Sequence, residues 1–227
     1  YYETLAEGES VITDIEPRSN YMIRRASNLS KEAHVIAANL DQALIVATLF
    51  SPRTSTEFID RFLVTCEAYN IPAGIILNKR DLAEEEAELF DEFLAIYETV
   101  GYTVYPVSAT KGEGIGELTA AIAGKTTLLA GNSGVGKSTL IKALIPDADV
   151  KIGKISDYHH KGMHTTTFAR MHPLDNGAII DTPGIKGFGL VDIEAHEVFR
   201  YFPEFMRYSP DCQYYNCTHV HEPGCAV

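Results

Sequence analysis

Eight consecutive residues, Gly131-Asn132-Ser133-Gly134-Val135-Gly136-Lys137-Ser138, have the form Gly-x4-Gly-Lys-Ser and stand between a strand-like run, Thr127 to Ala130, and a helix-like run. Glycines at that spacing let consecutive backbone N–H groups turn inward around a phosphate, and the following helix adds the positive end of its dipole. Lys137 can then reach the outer phosphate oxygens, and Ser138 can offer its hydroxyl to Mg²⁺, with Thr139 next in the turn. Asp181-Thr182-Pro183-Gly184 follows a second apolar run, Ala178-Ile179-Ile180. By itself Asp-x-x-Gly is a common turn. Downstream of a phosphate loop it places Asp181 in the Mg²⁺ sphere and the Gly184 N–H near the terminal phosphate.

A phosphate loop holds any nucleotide, so base choice must come from elsewhere. Asn78-Lys79-Arg80-Asp81 closes another apolar run. Its Asp81 carboxylate can accept both N1–H and the exocyclic amine of guanine, whereas adenine would leave it unpaired. Lys79 can lie along the ring, and Asn78 can tie the loop to its neighbours. Ser108-Ala109-Thr110-Lys111 follows a third such run, where the Ala109 N–H can reach guanine O6. Together these loops specify a guanine nucleotide and disfavour a P-loop kinase or ATPase.

Between the phosphate loop and Asp181 lies Lys161-Gly162-Met163-His164-Thr165-Thr166-Thr167. One threonine is expected to sense the terminal phosphate through Mg²⁺, and Thr166 is the choice. Where many GTP hydrolases carry a water-orienting glutamine after Asp-x-x-Gly, this chain has Ile185, which has no hydrogen-bonding side chain. Slow unaided hydrolysis is expected, with another group supplying the function; His164 is a candidate. The catalytic set is thus Lys137, Ser138, Thr166, Asp181, Gly184 and His164.

Three of the four cysteines fall in the last 16 residues, and Cys212, Cys217, His219 and Cys225 make the pattern Cys-x4-Cys-x-His-x5-Cys. Three thiolates and an imidazole suit a closed, tetrahedral, structural Zn²⁺ site; His221 competes with His219 for the fourth position. A disulfide would leave one cysteine over. Cys66 follows Phe58, Ile59, Phe62 and Leu63 at helical spacing and reads as core.

The elements that must position these groups alternate. Ala43 to Leu49, Ala73 to Leu77, Thr103 to Val107, Thr127 to Ala130 and Ile179-Ile180-Asp181 read as strands. Helices are expected from a Thr54-Ser55-Thr56-Glu57 capping box to Tyr69, over Glu84 to Val100, over Ile115 to Ala123 and over Asp192 to Met206. Such alternation implies an α/β fold with a mostly parallel sheet, helices on both faces, and ligands at the carboxyl ends of the strands. Both base loops precede the phosphate loop, the reverse of an ordinary small GTPase. Joining that fold's last helix to its first strand, with Gly124-Lys125 as the splice, gives this circularly permuted order. Val11-Ile12 and Tyr21-Met22-Ile23 look like a hairpin.

The chain has 227 residues, 45% hydrophobic and 22% charged, which fits one main domain with short appendages and excludes a disordered or fibrous protein. No run approaches the roughly 18 to 20 apolar residues of a membrane span, and the start Tyr1-Tyr2-Glu3-Thr4 resembles no export signal, so a cytoplasmic protein without membrane contact, acting as a monomer, is expected. A start without Met suggests a piece of a longer chain. The formal charge of −12 repels polyanions, so any RNA contact must be local. Arg18, Arg24, Arg25 and Lys31, and the stretch from Lys151 to His172, are the basic segments available.

Taken in order, Asn78 to Asp81, Ser108 to Thr110, Gly131 to Ser138, Gly162 to Thr167, Asp181 to Gly184 and the Cys212–Cys225 cluster resemble the RsgA (YjeQ) ribosome-biogenesis GTPases over nearly the whole chain. That resemblance implies the end of an OB-fold β-barrel over residues 1–31, a circularly permuted GTPase domain over 32–190 and a truncated, small helical zinc domain over 191–227. It also implies GTP and GDP as ligands with Mg²⁺ and one structural Zn²⁺. The implied activity is GTP hydrolysis stimulated by the small ribosomal subunit and its rRNA during late maturation. Some members carry a histidine where Asp192 stands here, which removes one source of a catalytic histidine. The rival reading is an RNA-binding module controlled by nucleotide, with hydrolysis incidental.

Overall fold

The structure, a computed structural model, describes residues 2–4, 10–25, 33–83, 86–149, 169–182 and 193–227. Two short antiparallel pairs come first: β1 (Tyr2–Thr4) with β2 (Ser10–Ile12), and β3 (Tyr21–Arg25) with β4 (Ala33–Ala38). The expected hairpin between Val11-Ile12 and Tyr21–Ile23 is therefore replaced by two separate pairings. The second pair packs against the main core, since Met22 is fully buried with Ala37 and Leu40 in its larger cluster. A boundary at residue 31 falls between these two paired strands. Asn20 ties the pair to the turn ahead of the main unit: its side chain accepts the Leu40 N–H at 2.7 Å and donates to the Leu40 carbonyl at 2.8 Å.

The main unit then alternates as its apolar runs require. In chain order it comprises β5 (Gln42–Ala47), α1 (Thr56–Ala68), β6 (Ala73–Leu77), α2 (Ala87–Val100), β7 (Thr103–Pro106), α3 (Ile115–Ile122), β8 (Thr126–Gly131), α4 (Lys137–Leu144), β9 (Arg170–Leu174) and β10 (Gly177–Asp181). The six strands form one sheet in the order β7-β6-β5-β8-β10-β9, all parallel except β9, which runs antiparallel to β10. All six residues of β5 are buried, as a central strand covered on both faces requires. The period of two separates its sides: Ala43, Ile45 and Ala47 join Ile59, Phe62, Phe90 and Phe93 of α1 and α2, while Leu44 and Val46 join Leu118, Ile122, Leu140 and Ile141 of α3 and α4. Each fully buried Leu, Ile or Phe contributes about 1.5–3 kcal/mol relative to exposure. Cys66 is fully buried in the first of these clusters, as expected.

Three local readings are corrected. Thr54 does not cap α1, because its hydroxyl accepts the Thr48 N–H at 3.0 Å; Ser55 stands at the N-cap with extended backbone and no side-chain cap bond. Strand β9 went unread, since Arg-Met-His-Pro-Leu is not an apolar run and its proline fits only an edge. The helix expected over Asp192 to Met206 is two pieces: a 3₁₀ segment Ala195–Tyr201, opened by reciprocal bonds of Glu194 and Glu197, and α5 (Pro203–Tyr208). Pro203 has no N–H and forces Phe202 into an extended conformation, which ends the first piece. A further 3₁₀ turn, Ser209–Asp211, leads into the cysteine cluster.

Candidate functional site

Because the strands of the main unit run parallel, the loops after β5, β6, β7, β8 and β10 leave from one edge of the sheet. Register aligns those exits: Ala47 pairs with Leu77, Leu77 with Pro106, Val46 with Gly131 and Asp181 with Leu129. Every described nucleotide-motif residue leaves from this edge or, like Lys137 and Ser138, begins the helix after it.

The phosphate loop runs from the end of β8 to the first turn of α4. Gly131 packs against the neighbouring strand so closely that a Cβ there would lie 2.7 Å from the Val46 carbonyl oxygen. Gly136, at φ +91°, is pressed against the Asn78 amide. Both positions therefore require glycine. Val135 is buried under the loop, whereas Ser133 and Gly134 are exposed and Asn132, Lys137, Ser138 and Thr139 are half-buried. The Lys137 ammonium is paired with Asp181 at 2.8 Å, so the groups expected at the phosphate and at Mg²⁺ come to one point from the start of α4 and the end of β10.

The base loops are wired into this frame. Asn78 is buried; its Nδ2 donates to the Val135 carbonyl at 2.8 Å and its Oδ1 accepts the Ala109 N–H at 3.1 Å. One side chain thus joins the loops after β6, β7 and β8, as the sequence suggests. Ala109 accordingly has a partner inside the protein, and reaching guanine O6 requires it to share that N–H. Lys79, at φ +66°, donates to the Gly134 carbonyl at 2.9 Å and to the Ser51 carbonyl. Burial lowers its pKa from the ordinary lysine value, against the pull of Asp81. Asp81 sits in the 3₁₀ turn Arg80–Leu82, and the fully buried Ser108 donates to its Oδ1 at 2.5 Å, with Thr110 3.2 Å from the same hydroxyl. The carboxylate is held in place through Oδ1.

One wall of this site was missed. After β5, Thr48 donates to the Pro52 carbonyl, Thr54 donates its N–H to the Thr48 carbonyl at 2.7 Å, and the Pro52 ring lies 3.3 Å from where a Gly134 Cβ would stand. The signal was available, since this loop follows the strand beside β8. Thr166, His164 and Gly184, together with Ile185, Lys31, Asp192 and the stretch Lys151 to Lys161, lie outside the described residues.

The cysteine cluster is assembled separately. One ligand atom from each of Cys212, Cys217, His219 and Cys225 lies within 4.8 Å of the others. His219 Nδ1 is 3.6 Å from the Cys212 sulfur and 3.5 Å from that of Cys225, and the ring meets Phe199 and Phe205 edge-on. His221 is exposed and outside this set. Burial, with neighbouring Cys225 and Cys212, pushes the Cys217 thiol up to about 11. Thiols brought together this way resist ionising unless a cation joins them, and the donor set fits Zn²⁺. The Thr218 hydroxyl and N–H pull Glu222 below the usual carboxylate range.

Among the described residues no helix is long and apolar enough to cross a membrane. The family profile described as RsgA GTPase matches residues 15–191. The small ribosomal subunit biogenesis GTPase RsgA of Phocaeicola vulgatus is 56% identical over 223 residues, covering 97% of this chain and 72% of its own length. The protein of that name from Porphyromonas gingivalis W83 is 54% identical over 221 residues, covering 95% of this chain and 70% of its own. Among solved structures, YjeQ from Thermotoga maritima superposes with a TM-score of 0.76 at 32% identity, over 99% of this chain and 72% of that one. YloQ, described as a circularly permuted GTPase, gives 0.73 at 29% identity, over 99% and 69%. With that profile matched over most of its length and relatives more than half identical over nearly all of it, this chain belongs to the RsgA GTPase family.

Proposed function

We propose that this chain serves the biogenesis of the small ribosomal subunit, as the names of its relatives state for them, and that it binds that subunit, where its GTP hydrolysis, slow alone, is accelerated. The observation that carries the reading is the Asn78 side chain, which bonds to Val135 on one side and Ala109 on the other and so makes base recognition and phosphate binding one structure. In this reading the Asp81 carboxylate accepts the two guanine donors while Ser108 steadies it. The residues Gly131 to Thr139 enclose the phosphates, and Lys137 leaves Asp181 for the outer phosphate oxygens. Ser138, Asp181 and Thr166 would hold Mg²⁺, which supplies positive charge beside the phosphates. Gly184 senses the terminal phosphate, His164 is the candidate for orienting water, and Ile185 accounts for the slow unaided rate.

We assign residues 1–31 to the end of an OB-fold, 32–190 to the GTPase domain and 191–227 to a zinc domain held by Cys212, Cys217, His219 and Cys225. A monomer in the cytoplasm, with rRNA contact confined to local basic patches, fits the charge of −12. The test is the GTP turnover rate of the protein alone, with purified small subunits, and with large subunits. Strong stimulation by small subunits alone is expected; equal rates in all three would remove the ribosomal assignment and leave the nucleotide site standing.

A further inference from the structure

A carboxylate outside the ligand set organises the metal loop. Glu222 receives four donors: its Oε1 accepts the Thr218 N–H at 2.9 Å and the Thr218 hydroxyl, and its Oε2 accepts the N–H groups of Val220 and His221, each at 3.1 Å. These donors lie on both sides of His219, whose backbone is at φ +61°, a conformation unfavourable for a residue with a side chain. The Glu222 carbonyl also accepts the Cys225 N–H at 3.3 Å. One residue therefore touches the chain on either side of one ligand and at the next.

Resting on the metal reading of the cluster, we propose that Glu222 is a positioning residue that holds the 218–221 turn so that His219, and not His221, presents its ring to the metal. In a segment whose one buried residue among those described is Cys217, an untied turn would place either imidazole near the thiols. Tying the N–H groups at 218, 220 and 221 to one carboxylate leaves His219 as the residue turned inward, with Nδ1 toward Cys212 and Cys225. Both carboxylate oxygens face donors, so an amide of identical shape cannot substitute: its NH₂ would confront either the Thr218 pair or the Val220 and His221 N–H groups. Shape and hydrogen bonding can thus be separated.

The experiment measures Co²⁺ and Zn²⁺ binding by the full chain, through competition with a chromophoric chelator and the visible spectrum of the Co²⁺ form. Wild type is compared with Glu222→Gln and Thr218→Val, and GDP affinity is read in parallel to show that the nucleotide domain is folded. Glu222→Gln is expected to weaken metal binding about 10- to 100-fold and to reduce the tetrahedral Co²⁺ absorption, as loss of outer-shell partners does. Thr218→Val, which removes only the hydroxyl donor, should fall between the two. If Glu222→Gln binds both metals as wild type does, the proposal is overturned and the metal site stands. If wild type itself takes up neither metal, the metal reading falls and the role of Glu222 with it.

Discussion

The nucleotide crevice and the metal loop reach their geometry by opposite routes. In the crevice the bonds span long stretches of chain: 57 residues from Asn78 to Val135, 55 from Lys79 to Gly134 and 44 from Lys137 to Asp181. In the cysteine cluster the Glu222 bonds reach back at most four residues, and the four residues that could hold a metal lie between Cys212 and Cys225. The crevice is imposed by a sheet with two apolar faces. In the described residues from 193 on, Cys217 is the one that is buried, so burial supplies little there. A site fixed by a core keeps its shape without its ligand, whereas one fixed by a short loop depends on what it binds.

The strongest challenge to that contrast is Asn78→Ala. It leaves the Val135 carbonyl and the Ala109 N–H unpaired in a closed region, at about 1–3 kcal/mol each. A loss of GDP affinity on the order of 100-fold or more is expected by calorimetry. A change of threefold or less, under about 1 kcal/mol, would mean that the loops are not held by this side chain.

Removing metal from the wild-type protein with a strong chelator sharpens the other side. Faster proteolysis within 209–227 is expected, while GDP affinity stays within about threefold. A tenfold fall in GDP affinity would show that the two regions are not independent.

The smallest expected effect concerns His172 on the edge strand β9. It is only 5% exposed, and its Nε2 has no hydrogen-bond partner among the described residues. Burial, reinforced by Arg170 and opposed by Asp181, lowers its pKa. The unfolded chain takes up a proton near its ordinary value of about 6.5 while the folded one resists. Stability is therefore complete above that pH and is lost as pH falls from there through the lower folded value. The melting temperature should drop by a few degrees on acidification from about pH 7.5 to 5.5, beyond the drop in His172→Leu. Equal slopes in the two proteins would show that His172 does not titrate with folding.

Where sidedness and burial agree, the sequence was legible: β6 has the expected bounds, and β5, β7 and β8 differ from expectation by at most two residues at either end. Asn78, Asp81 and Ser108 follow β6 and β7 directly, since their motifs carry both a residue type and a strand end. What failed was decided by the partner that each side chain takes in the fold, which residue type and spacing do not specify. Thr54 looks like a helix cap until Thr48 claims its hydroxyl, and Pro52 acquires meaning only from Gly134. Glu222 was invisible because an acidic residue beside a metal motif reads as solvated charge; only its four donors single it out.

The strand order also sets a schedule for synthesis. β5 and β6, neighbours in both sequence and sheet, can pair once both have emerged, but the other neighbour of β5, β8, begins only at Thr126. Until then a strand buried at all six positions has an open side, and the loops after β6 and β7 exist without the Gly131–Ser138 loop to which Asn78 bonds. Unpaired apolar edges are the hazard of such intermediates. In the unpermuted order the phosphate half would come first; here the chain makes its base-reading half early and completes the nucleotide site only when β8 closes the gap.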